Sequence, residues 1–136
     1  MSLFDGMDLD GAKAPDVVDA NSEVKLRILS VKVDKDKNGL DYVMPLFEIV
    51  GDGFTQDFSH FLHVPNGDNK REMELKKFEK ARFRMNEFLK AFDIDASRPG
   101  DPADDWPGQT GFAIVGVNET DEYGKQNYVK RFVAPK

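Results

Sequence analysis

The sequence contains no cysteine among its 136 residues. This absence excludes disulfide bonds, a thiolate nucleophile and a thiolate metal site. No apolar run approaches the ~18 residues that a membrane-spanning helix requires, and the N-terminus lacks the basic start and apolar stretch of a signal peptide. We therefore expect a cytoplasmic protein without a membrane partner, long enough for one domain with a core.

Catalytic motifs are missing as well. The sequence has no glycine-rich phosphate loop and no activated-serine motif. His60 and His63 are three residues apart on a predicted strand, so their side chains point to opposite faces and cannot chelate one ion. The alternating polar residues from Asp34 resemble the start of a calcium loop, but Pro45 occupies the twelfth position, where a bidentate glutamate is expected. The sequence therefore predicts no enzyme, no metal and no other cofactor.

Negative charge is concentrated in two segments. The net charge is −6, but residues 1–23 carry −5 and residues 93–110 carry −4. The remaining chain is therefore mildly basic, with +3. This distribution does not establish an anionic ligand, but it removes the main objection to one.

The domain organisation follows from the same pattern. Residues 1–22 are rich in Asp, Gly and Ala and are predicted to be an acidic flexible tail, followed by one domain at 23–136. Apolar residues alternate with the acids of this tail. It is either a disordered leader or a peptide that docks on a partner protein or on the protein's own basic surface.

Residues 40–64 are interpreted as a long β-hairpin around which the rest of the chain is organised. Two runs rich in β-branched and aromatic residues flank Gly51-Asp52-Gly53. The period of two predicts inward side chains at Val43, Phe47, Ile49, Phe58, His60 and Leu62. It predicts outward side chains at Tyr42, Met44, Leu46, Glu48, Ser59, Phe61 and His63. Apolar groups on an outward face indicate a binding surface, or a face covered by a helix, the tail or a second subunit.

The other elements complete an order of three strands, a helix and two strands. The apolar phase of the first strand, residues 23–34, slips at Ile28–Leu29, which predicts a bulge. Residues 72–92 are predicted to form a helix with one apolar stripe; its mixed-charge face is either solvated or a phosphate-binding ridge. Trp106 is expected to pack in the core or on this helix. The last strands are predicted at residues 112–117 and 127–133.

This order predicts an all-β protein with one helix: a five-stranded OB-type barrel whose helix lies between strands 3 and 4. Such barrels bind oligonucleotides on the face of strands 2 and 3, between the 1–2 and 4–5 loops. In this sequence those elements are residues 40–64, 34–41 and 118–126.

The stretches KNGLDYVMPLFEI, FSHFLHVP, FEKARFRMNEFLKAFDID and GKQNYVKRFV resemble small OB-type single-stranded-DNA-binding proteins of bacteriophages, over about residues 24–133. The resemblance implies a sequence-tolerant binder acting in DNA replication, recombination or repair in the cytoplasm of an infected bacterium. It leaves both a monomer and a homo-oligomer open. Such proteins often end in an acidic tip that binds partners, whereas this chain ends in VKRFVAPK. The acidic N-terminal tail would then have to bind replication or recombination proteins.

Stacking rings and phosphate-binding cations are the groups that such a function needs. The candidate stacking residues are Tyr42, Phe61, Tyr123 and Tyr128. The candidate phosphate contacts are Lys25, Arg27, Lys35, Lys37, Lys125, Lys130 and Arg131. Each ring has a core position as its alternative, because an error of one residue in strand phase reverses its direction. The alternative function is an OB-type protein-interaction module, such as a replication accessory or virion component, that does not bind DNA.

Overall fold

The computed structural model describes residues 2–51 and 53–135, and within them the chain is mostly β. The strands are β1 (Glu23–Lys35), β2 (Asp41–Ile49), β3 (Phe58–Ser59), β4 (Leu62–His63), β5 (Thr110–Thr120) and β6 (Gly124–Val133). The helices are α1 (Gly67–Glu72), α2 (Leu75–Ala91) and α3 (Pro102–Asp105). The six strands form one antiparallel sheet in the order β3-β2-β1-β5-β6, with β4 also paired to β2.

This architecture confirms the prediction of a mainly β protein. The number of helices and strands differs from the prediction. In the described part of the chain there are three helical segments instead of one, because α1 and α3 form almost entirely outside residues 72–92, where the one helix was predicted. The predicted third strand is divided into β3 and β4. Over the same residues the ladder is open, with β3 and β6 at its two ends.

The bulge predicted in β1 is present. Ile28 pairs with Phe47 and Ser30 pairs with Leu46, so Leu29 is the extra residue. Because one residue is skipped, the inward phase changes from Leu26 and Ile28 to Val31. A bulge also bends its strand, and β1 pairs with β5 through its first half and with β2 through nearly its whole length.

Pro45 explains why the second strand of the hairpin is broken. β3 pairs with Leu46 and Phe47, and β4 pairs with Tyr42 and Val43. Pro45 lies between these two pairings and has no N–H to donate, although its carbonyl accepts from the His60 amide at 3.1 Å. The sheet is therefore irregular at the centre of the hairpin. The Gly51–Gly53 turn is part of a longer loop, and its Asp52 lies outside the described residues.

One face of the sheet packs against α2 and holds the core. Phe47 stacks on Phe92 at 5.4 Å between ring centroids, and Phe88 of α2 approaches Phe132 at 5.3 Å. Trp106 is buried against Phe88, with its Nε1 donating to the Pro99 carbonyl at 2.7 Å. Trp106 therefore packs on the helix, as predicted.

The sheet curls so that its two ends approach each other. The His60 ring, just after β3, lies 5.2 Å from the ring of Phe132 on β6. Gln56, just before β3, donates from Nε2 to the Lys125 carbonyl at 3.0 Å. The curvature brings the β5–β6 hairpin beside the loop that leads into β3.

Residues 16–22 are attached to this junction. The Asp16 amide donates to the Phe54 carbonyl at 2.9 Å, and the buried Asn127 side chain bonds to both the amide and the carbonyl of Val18 at 2.8 Å. The hydrogen bonds of residues 2–12, by contrast, join only near neighbours within that segment. The predicted tail thus has a docked second half.

The end of the sheet that carries the 1–2 loop is fixed by a buried amide. Asn69 of α1 donates to the carbonyls of Asp41 and Val64 at 2.9 and 2.7 Å, and its Oδ1 accepts from the Asp41 amide. Asn66 caps α1 by accepting from the Asn69 amide. Since every polar atom of Asn69 is satisfied, its burial stabilises this corner. None of the helices in the described ranges is long and apolar enough to span a membrane.

Candidate nucleic-acid interface

The surface of the sheet turned away from α2, called here the outer face, runs across all the long strands. The pairing register places Lys25 beside Phe112, and Arg27 beside Glu48. On β2 the outer face continues through Leu46 and Met44 to Tyr42. On β5 it continues through Ile114 and Gly116, which pair with Arg131 and Tyr128 of β6. The outer face is therefore one continuous surface.

Three aromatic rings on the outer face remain accessible. Phe61 is 44% exposed, Phe112 is 46% exposed and Tyr128 is 39% exposed. Phe61 and Tyr128 were predicted as stacking residues. Phe112 was not, because strand β5 is apolar on both sides and indicated only a central strand. The missed signal is that Phe112 alternates with two small residues, Gly111 and Ala113, which are buried.

Tyr42 is the one predicted stacking residue that is buried, so the exposure expected of its ring was wrong. Its side chain does lie on the outer face, but it is only 8% exposed because the Phe61 ring covers it at 4.5 Å. The His63 ring contacts Phe61 from another side at 4.8 Å. Tyr42 and His63 therefore hold the exposed ring of Phe61 in place.

Tyr128 depends on a glycine. A Cβ atom at Gly116 would come within 2.5 Å of Tyr128 Cζ, so the ring lies directly across β5. Gly116 is buried under that ring. The absence of a side chain at Gly116 thus allows Tyr128 to lie flat on the outer face, a position suited to stacking on a base.

Cations surround these rings. Lys25 and Arg131 are exposed, and Arg27 is partly exposed, with Nη1 3.2 Å from the Glu48 carboxylate. Lys130 is the bulged residue of β6, and its Nζ bonds to Asn21 Oδ1 at 2.6 Å. The Arg27–Glu48 ion pair is partly exposed and contributes little stability, so Arg27 can exchange Glu48 for a phosphate.

The 1–2 loop is held by Asp36. Its Oδ1 accepts from the amides of Asn38 and Leu40, and its Oδ2 lies 2.9 Å from His63 Nε2. The hydrogen bond with His63, followed by that with the Leu40 amide, holds the pKa of Asp36 below its usual value. Gly39 takes a φ of +80°, a left-handed conformation that glycine adopts without strain. The Asp36 carboxylate therefore already hydrogen bonds within the 1–2 loop and to His63 of β4.

The two predicted lysines of this loop differ. Lys37 is exposed. Lys35 Nζ lies 2.7 Å from Asp41 Oδ1, and this hydrogen bond raises the pKa of Lys35 and lowers that of Asp41. A phosphate would have to compete with Asp41 for Lys35.

The remaining predicted contacts, Tyr123 and Lys125, lie at the tip of the β5–β6 hairpin. Tyr123 is 65% exposed, and Lys125 is exposed at the start of β6. They lie beyond Tyr128 in the register and so flank the outer face at its far end.

The described residues form no cluster of three or more His, Asp or Glu side chains that could hold a metal ion. His60 and His63 point to opposite sides of the sheet, as predicted: His60 lies against the core ring of Phe132, and His63 lies beside Phe61. Burial, and secondarily the charge of Arg84, lowers the pKa of His60 to about 4. His60 is therefore neutral at physiological pH.

Comparison with known proteins adds no assignment to this geometry: no protein-family model matches the chain, and no curated protein matches it.

Proposed function

We propose that the protein is a sequence-tolerant single-stranded-DNA-binding protein that acts in phage-type DNA replication, recombination or repair, in the cytoplasm of an infected bacterium. The observation that carries this proposal is the outer face, where three exposed rings alternate with Lys25, Arg27 and Arg131. Bases stack on aromatic rings without regard to sequence, and phosphates require cations.

The strand arrangement supports an OB-type barrel as the scaffold. In the order β3-β2-β1-β5-β6 the first strand pairs with the second and with the last but one, and the two ends of the sheet meet at His60 and Phe132. The bulge at Leu29 supplies the bend that a barrel strand needs. In OB folds, oligonucleotides lie on the strand 2–3 face between the 1–2 and 4–5 loops, which corresponds to Phe61 with its flanking Lys37 and Tyr123.

A fluorescence titration with oligo-dT and a matching duplex at two salt concentrations tests the proposal. We expect tight binding to oligo-dT, weaker binding to the duplex, and a loss of affinity as salt rises, because each neutralised phosphate releases counterions. Absent or salt-insensitive binding at low ionic strength contradicts the proposal.

The second candidate is a protein-interaction module. It is favoured by a mostly apolar cleft of about 770 Å³ that α2 forms with residues 64–66 and 96–106, and whose lining includes Phe83, Met85 and Trp106. Phe83 is 63% exposed there. Co-purification of a partner that is lost on changing Phe83 to Ala, in a protein that does not bind oligo-dT, would support this candidate over the first.

A further inference from the structure

Two clefts lie beside the outer face, and one arginine lines both. The first, of about 480 Å³, is bounded by the 1–2 loop, β4 and α2, and Phe61 forms part of its wall. The second, of about 240 Å³, lies between α2 and β6. Because Arg84 lines both clefts, they are neighbours along α2. Their cations, called here the helix track, are Lys77, Lys80, Arg84, Lys130 and Arg131.

The cations of the helix track are not engaged by carboxylates. In the part of the chain that the structure describes, the ion pairs involve Arg27, Lys35, His63, Arg71 and Arg82. None of these residues belongs to the helix track. A cation that has no carboxylate partner in a cleft is available to bind an anion.

The carboxylates of the two clefts do not cancel this charge. Asp36, Glu72 and Glu74 line the first cleft and Glu87 lines the second, so the five cations of the helix track exceed the acids by one. Asp36 is also committed to His63. On the other side of α2, Arg82 is paired with Glu79 at 3.1 Å beside a largely apolar cleft. Only one side of α2 therefore suits a polyanion.

Phe61 connects the outer face to the helix track. Its ring lies on the outer face against Tyr42 and also forms part of the wall of the first cleft. A base stacked on Phe61 therefore has Lys32, whose Nζ lies 5.9 Å from the Tyr42 ring centroid, on one side and the cations of the first cleft on the other. A polynucleotide has a phosphate on both sides of each base, so the cations on both sides can be used.

We infer that single-stranded DNA leaves the outer face at Phe61 and continues along α2, with Lys77, Lys80 and Arg84 contacting its phosphates on the way to Lys130 and Arg131. The inference rests on the proposed function and extends its binding surface to the helix. The sequence left the charged face of the helix as either a solvated face or a phosphate-binding ridge. The inference corresponds to a phosphate-binding ridge, on one side of α2 only.

Two matched variants of the full chain test the inference. K80Q/R84Q removes one lysine and one arginine from the helix track. R82Q/K90Q also removes one lysine and one arginine from α2, but at positions outside the helix track. With oligo-dT of about 16 nucleotides, near the upper end of the range for such domains, K80Q/R84Q should make the negative slope of log K against log salt shallower by about 1.4, because each single-strand phosphate contact contributes about 0.7. R82Q/K90Q should leave the slope close to that of the wild type.

The oligonucleotide length provides a second readout. With about 6 nucleotides, enough for the outer face alone, both variants should bind like the wild type. If the wild type binds the longer oligonucleotide and the two variants share one slope, the inference is wrong while the proposed function stands. If the wild type binds neither oligonucleotide, the proposed function itself fails.

The acidic N-terminal residues are the competing occupant of the helix track. The same titration in a chain lacking residues 1–14 separates the two ligands. If the difference between K80Q/R84Q and R82Q/K90Q persists without these residues, the track binds DNA. If the difference disappears, the track binds the protein's own tail, and the inference is overturned.

Discussion

The two faces of the sheet use the same residue types for opposite purposes. On the inner face Phe47 is fully buried and Phe132 is 7% exposed, whereas on the outer face Phe61 and Phe112 are 44% and 46% exposed. These rings differ in what covers them, since α2 lies over the inner face and no helix or strand of the described residues covers Phe61 or Phe112. The same side chain therefore contributes stability on one face and an accessible aromatic surface on the other.

The largest expected effect is on stability and comes from the inner face. Phe47→Ala should lower the free energy of unfolding by about 3–5 kcal/mol, because it leaves a cavity among Phe58, Phe88 and Phe92. The matched change, Phe112→Ala, should cost about 1 kcal/mol or less, since that ring is already half in water. Urea denaturation measures both. Similar losses would show that the faces do not differ as described.

Much of this contrast could be predicted from the sequence. The period of two along β2 correctly placed Val43 and Phe47 inward and Met44 and Leu46 outward, because the pleat fixes side-chain direction. The burial of Tyr42 could not be predicted in the same way. It depends on the position of Phe61, which lies in the break between β3 and β4 opposite Pro45. This is a tertiary contact, and the period of two does not predict it.

The helices show the same limit. The apolar stripe of α2 was predictable from its spacing, but the identity of the residues beside Lys80 and Arg84 depends on how the helix crosses β4 and β6. α1 was missed because six residues are too few for a period. Asn66 as an N-cap, accepting from the Asn69 amide three residues later, was the available signal.

A second test concerns the pH dependence of stability that is expected from His60 on the inner face. The pKa of His60 is about 4 in the folded protein and 6.5 ordinarily. As pH falls from about 6.5 to about 4, the unfolded chain gains a proton that the folded chain does not, so stability decreases, by about 3 kcal/mol at the acidic end. His60→Phe keeps a ring against Phe132 and should flatten this part of the pH profile. Equal profiles for wild type and variant would exclude a buried neutral His60.

A third test moves to the outer face. Phe61→Ala should weaken oligo-dT binding by about 1–3 kcal/mol through loss of one stacking platform. Phe83→Ala is the control, because Phe83 is also an exposed ring but lies on the other side of α2, at the apolar cleft. Both affinities are measured by fluorescence titration. Equal affinity of the two variants would show that Phe61 does not stack on a base.

The smallest expected effect concerns the N-terminal residues. Residues 1–14 carry Asp5, Asp8 and Asp10 against Lys13, and their exposed charges can compete with DNA for the cations of the protein. Deleting them should strengthen oligo-dT binding by about 0.2–1 kcal/mol at low salt, the range of exposed ion pairs, and the gain should vanish at high salt.

The position of that deletion matters, because residues 16–22 are hydrogen bonded to Phe54 and Asn127. A longer deletion, of residues 1–19, would leave the buried Asn127 without its two bonds to Val18 and should lower stability by about 1–3 kcal/mol. Thermal unfolding of both deletions separates the two roles. Unchanged DNA affinity in the shorter deletion would refute competition by the acidic segment, and unchanged stability in the longer one would show that residues 16–19 do not help to hold the ends of the sheet together.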